Sequence, residues 1–249
     1  MISFDLNFFP RDDVDDYELD DRIEDFLSSL ICNGNIIGEH VIEEHNDCCR
    51  VRVLCWSPDA LDDANLTGWA RRDLAKLNEF LKSAPQFERI VEVECEQMWC
   101  QCSNPTERLV FTTFLAKLSS PINCLDCGYG VPLYHLPLIK GAREQAIFLG
   151  WQNDYQALDI LWMHSDVGER FAYRQLARPK SDFMKATREL AAKLEAATGI
   201  ATYSFLLHYN KKWGNRCPLC ARKWKWKNTP NTLFAFKCDH CHLITSEAS

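Results

Sequence analysis

Four cysteines in the last forty residues have the types and spacing of a metal centre. They are Cys217-Pro218-Leu219-Cys220, then seventeen residues, then Cys238-Asp239-His240-Cys241. Two such pairs offer four thiolates, the donor set of a structural zinc site. A site closed by four protein ligands has no position left to bind and activate water, so the expected role is structural. The metal would fold a segment too small to build its own core, because its binding energy becomes folding energy. His240 and His242 are spare donors, expected as exposed loop residues.

A second set, Cys100-Gln101-Cys102 with Cys124-Leu125-Asp126-Cys127-Gly128, is a candidate second zinc site, with His135 able to replace one thiol. The competing reading is that the two pairs never meet, or that Cys124 and Cys127 are small buried residues. A redox role is disfavoured. Such a motif should open a helix, whereas Gly128-Tyr129-Gly130-Val131-Pro132 follows.

Two charged stretches could bind partners. Asp12, Asp13, Asp15, Asp16, Glu18, Asp20 and Asp21 precede and begin a helix, and between Asp12 and Asp25 nine acids face only Arg22. Two or three acids suffice to pair with a helix N-terminus, so the surplus must face water or a partner. The other stretch is basic and aromatic: Lys211, Lys212, Arg222, Lys223, Trp224, Lys225, Trp226 and Lys227. Alternation of this kind suits phosphate contacts with base stacking. The competing reading is that the tryptophans pack the small segment while the lysines stay solvated.

No His-Glu-x-x-His, phosphate-cradling glycine loop or Gly-x-Ser-x-Gly elbow occurs. The expectation is therefore a protein that is not an enzyme. Residues 208–249 carry +6 and the remainder −13 of the net −7, so the two parts should prefer different partners. The thirteen cysteines are odd in number, and six lie in Cys-x-x-Cys pairs, which opposes a disulfide framework. The start, Met1-Ile2-Ser3-Phe4-Asp5, lacks the basic-then-apolar form of a signal peptide, and no apolar run is long enough to span a membrane. These features predict a cytoplasmic protein without a membrane partner.

The elements that must position these groups follow from periodicity. Residues 2–9 alternate as a strand; Leu19, Ile23, Phe26, Leu27 and Leu30 have helical spacing, with Gly34 as the stop. Strands over 36–44 and 49–56, joined by Asn46-Asp47, precede a helix over 67–83 and a strand over 87–95. That order predicts a ferredoxin-like βαββαβ sandwich over residues 1–98, within an α+β chain. Residues 99–207 read as a mixed region. It has a strand at 108–114, extended chain at 131–137, helices over 142–164 and 181–198 with Ser181 as cap, and a strand from 201. Residues 208–249 read as a zinc ribbon whose arms, 223–227 and 233–237, flank a turn at Asn228-Thr229-Pro230-Asn231.

Several stretches resemble a bacterial family described as zinc-ribbon-containing and as a candidate for nucleic-acid binding. They are Ser120-Pro121 leading to Cys124–Cys127, and Val131-Pro132-Leu133-Tyr134-His135-Leu136-Pro137. Trp151 with Tyr155, Asp159 to Trp162, and Gly168-Glu169 follow; the last are Cys217–Cys220 with Trp224, Phe236–Cys238 and Cys241–Leu243. The resemblance covers residues 105–243 and implies zinc in the ribbon. Ala221 departs from it, standing where a knuckle usually has glycine.

Two functions follow as expectations. In the first, the acidic body masks the basic DNA-binding surface of a protein such as a nuclease toxin, as an immunity protein would. In the second, the ribbon binds DNA or RNA, and the −13 body must be held away from the phosphates.

Overall fold

A computed structural model of the chain describes residues 1–45, 48–92, 99–116, 120–209, 214–226 and 234–246. The turns expected at Asn46-Asp47 and at 228–231 lie outside them. The chain is α+β and forms two units, residues 1–99 with 132–146, and residues 100–131 with 147–249.

The first unit begins with β1 (Ile2–Phe8), α1 (Asp16–Cys32), β2 (Ile36–His45) and β3 (Cys48–Cys55), then α2 (Gly68–Asn78) and β4 (Gln86–Glu92). Asp15 caps α1, its carboxylate accepting from the Tyr17 and Glu18 amides; Thr67 caps α2 through the Ala70 amide. Gly34 takes φ +75, the left-handed conformation that lets the chain leave α1 and enter β2. The four strands form one antiparallel sheet in the order β2-β3-β1-β4. Ile2, Phe4, Leu6 and Phe8 share a core with Ile23, Phe26, Leu27 and Leu30 of α1 and with Leu77 of α2. That is the outcome expected of period-two and period-3.6 patterns meeting face to face.

All of β1 is buried, including the polar residues of its opposite face. Asp5 is 3% exposed and is held by Arg52 through two bonds of 2.8 and 2.9 Å, with Arg50 3.7 Å away. The Arg52 bonds hold its carboxyl below the usual carboxylate range. A depressed folded pKa means that the unfolded chain binds the proton first. The stability from this pair is therefore complete above the ordinary carboxyl pKa of about 3.9 and is lost as pH falls through the lower folded value. Asp5→Asn should cost about 1.5–3 kcal/mol at neutral pH and flatten the acid limb of the stability curve, measured by urea unfolding against pH. An acid limb unchanged in the variant would contradict the assignment.

The second unit contains β5 (Glu107–Val110), β6 (Ile122–Cys124) and most of α3 (Ala142–His164). It continues through α4 (Glu169–Ala177), α5 (Asp182–Thr198), β7 (Ala201–Phe205), β8 (Phe236–Cys238) and β9 (Leu243–Thr245). Its sheet runs β6-β5-β7-β9-β8; β7 lies parallel to β5 and to β9, and the outer pairs are antiparallel. Phe148, Trp151 and Tyr155 of α3 are buried, and the Trp151 indole donates to Thr187 of α5 at 2.9 Å. In the first unit, the stretch from 132, read from the prolines as part of an extended run over 131–137, instead forms two short 3-10 turns at Leu133–His135 and Pro137–Lys140. There Pro137 fits a first helical position, whose N–H would be unpaired anyway. No helix among the described residues is long and apolar enough to cross a membrane.

Candidate metal centres

The C-terminal cysteines converge. The Sγ atoms of Cys217, Cys220, Cys238 and Cys241 all lie within 4.8 Å of one another, and Cys220 and Cys238 are 3.6 Å apart. Four sulfurs around zinc at about 2.3 Å stand about 3.8 Å from each other, so the group is already spaced for an ion. Cys217 and Cys238 are each 3% exposed within a core of Met184, Leu206, Trp224, Phe236 and Leu243.

Each pair sits in a tight turn. The Ala221 amide donates to the Cys217 carbonyl at 2.9 Å, and the Cys241 amide donates to the Cys238 carbonyl at 3.2 Å. Both turns leave through a left-handed residue, Ala221 at φ 59 and His242 at φ 48. Neither is glycine, so each conformation costs on the order of 1 kcal/mol, which the ligand geometry must offset.

The upstream cysteines also converge. Cys100, Cys102, Cys124 and Cys127 place their Sγ atoms within 4.8 Å of one another, with Cys102 and Cys124 4.0 Å apart. Cys124 ends β6, and its turn closes with the Gly128 amide donating to the Cys124 carbonyl at 2.9 Å; Gly128 takes φ +80. Asp126 secures this turn by accepting from the Thr106 amide and hydroxyl, both at 2.6 Å. Cys100 is brought in by its amide, which donates to the Gly130 carbonyl at 2.8 Å. The reading in which the two pairs never meet is overturned by this convergence. Among the described residues these are the two groups that could hold metal ions, and each offers four thiol ligands.

Crowded thiols do not all ionise unaided. Bonds from Cys127, then burial, push Cys102 up to about 11, and burial drives Cys124 upward. In the C-terminal group, the backbone N–H of Arg222 brings Cys220 down to about 7, while burial lifts Cys238 to about 11. A cation bound by four thiolates supplies the missing compensation.

Other candidate residues lie where the sequence did not place them. His135 does not join the upstream cysteines; its Nε2 faces Asp59 at 3.3 Å in the first unit. His242 is not a simple exposed loop residue. Its Nδ1 meets Glu195 at 2.8 Å, and its ring stacks on Tyr203. Trp224 cannot stack a base, because it is 1% exposed, packs on Phe236 and donates to the Gly214 carbonyl at 3.0 Å. Trp226 is half-buried, with the Lys237 ammonium 5.0 Å from its ring. Arg222, Lys223 and Lys225 are exposed; Lys211, Lys212 and Lys227 lie outside the described residues.

In the acidic stretch, Asp15 is occupied as a cap and Asp12 meets Lys82 at 2.6 Å. Asp13, Asp16, Glu18 and Asp21 face solvent and Asp20 is half-buried, none with an ion-pair partner among the described residues. Tyr17, in their midst, is 84% exposed.

Sequence reading missed two features. Arg108 is buried beside the upstream cysteines, and Lys237, 13% exposed on its side chain, pairs with Glu107 and with Asp239 at 3.3 Å. Both depend on strand neighbours far apart in the chain. Only the apolar run Leu109-Val110-Phe111 directly after Arg108 hinted at the first.

Three family models, each described as a domain of unknown function, match consecutive stretches: DUF8589 residues 1–91, DUF2310 residues 102–207 and DUF8594 residues 209–249. An uncharacterized Haemophilus influenzae protein is 27% identical over 224 residues, covering 86% of this chain and 85% of that protein. A second one from the same organism is 30% identical over 149 residues, covering 58% of this chain and 72% of that protein. The solved structure of Rv0793 from Mycobacterium tuberculosis covers 37% of this chain and 95% of its own, at 14% identity. Its TM-score of 0.31 is too low to carry an argument about fold.

Proposed function

The chain belongs to the family of these Haemophilus influenzae proteins, and we propose that it is a non-enzymatic binding protein whose acidic first helix receives a basic protein surface. In this reading residues 1–98 are a ferredoxin-like sandwich that presents α1, residues 99–207 a mixed region, and residues 208–249 a ribbon closed by zinc at Cys217, Cys220, Cys238 and Cys241. The strand order β2-β3-β1-β4 supports the first assignment, and the family-model boundaries near 91–102 and 207–209 support the division. Thiol-only donor sets favour zinc held structurally over a catalytic ion. None of the described cysteines is joined in a disulfide, which suits a reducing cytoplasm.

The observation that carries the binding role is a set of five carboxylates without cationic partners among the described residues, the exposed Asp13, Asp16, Glu18 and Asp21 and the half-buried Asp20, around the exposed Tyr17. Carboxylates spaced along a helix can imitate phosphate charge and steer a basic surface into contact, and tyrosine is favoured at the centre of protein interfaces. The partner of this chemistry is a DNA-binding protein, most concretely a nuclease toxin held inactive. Replacing Asp13, Asp16, Asp20 and Asp21 together with Asn should leave the fold intact. It should slow association with the basic protein that co-purifies by tenfold or more at low salt, measured by stopped-flow mixing. Association unchanged by that variant would contradict the proposal. So would a low-salt gel shift of DNA or RNA that is lost when Arg222, Lys223 and Lys225 become Glu.

A further inference from the structure

We infer that Cys100, Cys102, Cys124 and Cys127 hold a second zinc ion, and that the buried guanidinium of Arg108 balances the negative charge of its four thiolates. The inference stands apart from the choice of partner and from the ion of the ribbon.

Arg108 is 8% exposed, and its Nε and Nη1 are fully covered without a hydrogen-bond partner among the described residues. A buried guanidinium left with unpaired N–H groups is strongly unfavourable. Its surroundings supply the explanation. Arg108 on β5 stands directly opposite Cys124 on β6, so the two side chains share one face of the sheet a few ångströms apart. Among the described residues, the Cys100 and Cys124 thiols are close enough to act on its charge.

Neutral thiols give Arg108 little, since S–H is a poor partner for a cation. Four thiolates around a divalent ion change the balance. The cluster carries a net charge of −2, itself costly to bury, and each sulfur can accept an N–H. Arg108 then gains acceptors for its orphaned donors, and the cluster loses half of its excess charge. Each burial accounts for the other only when the ion is bound. Sulfur-only tetrahedral donors suit zinc, and the 4.0 Å spacing of Cys102 and Cys124 already approaches what that ion requires.

The test counts ions and times their release from the full chain. Native mass spectrometry of protein expressed with zinc should show two zinc ions per chain, and one after Cys124→Ser with Cys127→Ser. Two zinc ions in that double variant, one in the parent chain, or iron in place of zinc would overturn the assignment. Chelator-driven release, followed with a zinc-sensitive dye, should have two phases. Arg108→Gln should accelerate one of them by roughly 10–100-fold and leave the ribbon phase unchanged, as outer-sphere partners of metal ligands do. Unchanged release in that variant would remove Arg108 from the site. If the glutamine variant does not fold, Arg108→Lys decides. Retained charge should limit its acceleration to a few-fold, and immediate loss of one ion would contradict charge balance.

Discussion

Converting Cys238 to serine should release one ion and unfold the end of the second unit, the largest effect expected of any single change. Cys238 ends β8, lies 3% exposed in the core around Trp224, and its strand closes the five-stranded sheet through β9. Structural zinc in ribbon-sized modules contributes about 10–16 kcal/mol of apparent binding energy, comparable to the whole stability of an ordinary domain. A serine hydroxyl cannot replace a thiolate in a sulfur-only site, and the left-handed turns at Ala221 and His242 then lose what holds them. The variant should bind one zinc fewer than the parent chain. Tryptophan fluorescence should shift to the red as Trp224 meets water. The first unit, with a core of its own, should keep its transition. A Cys238→Ser chain with an unshifted spectrum would count against the metal-dependent fold.

Trp224→Ala carries the second largest effect, about 3–5 kcal/mol, the cost of emptying a large aromatic site in a packed core. Its ring centroid lies 5.3 Å from that of Phe236, and its N–H donates to the Gly214 carbonyl, so the substitution leaves a cavity and removes that hydrogen bond. Trp226→Ala, two residues away and half-buried, should cost far less. Denaturant unfolding of the two variants separates core from binding surface at this alternation. Equal and small losses, together with loss of nucleic-acid affinity in Trp224→Ala, would restore the stacking role that its burial argues against.

Legibility in the sequence follows the range of the interactions. The ribbon cysteines could be read because their spacing is local and the chemistry needs little else. The helices and strands of the first ninety residues could be read because one face of each is apolar at the right period, and Gly34 and Thr67 mark element ends by their own backbone and side-chain chemistry. The sheet of the second unit was legible only in part. Strands at 108–114 and from 201 could be read, but not the pairing, because the strands are three to five residues long and are gathered from Glu107 to Thr245. For the same reason the meeting of Cys100 and Cys102 with Cys124 and Cys127 stayed open in the sequence. Only the pairing of β5 with β6 places Arg108 beside them. At Lys223 to Lys227 the alternation was visible, but its period cannot say which face is inside; burial of Trp224 answers that.

The account stands most directly on metal analysis of the chain purified without added ions, read with tryptophan emission before and after exhaustive chelation. It predicts bound zinc, and a red shift on chelation that reverses when zinc is restored. A chain free of metal that still keeps Trp224 shielded from water would contradict it.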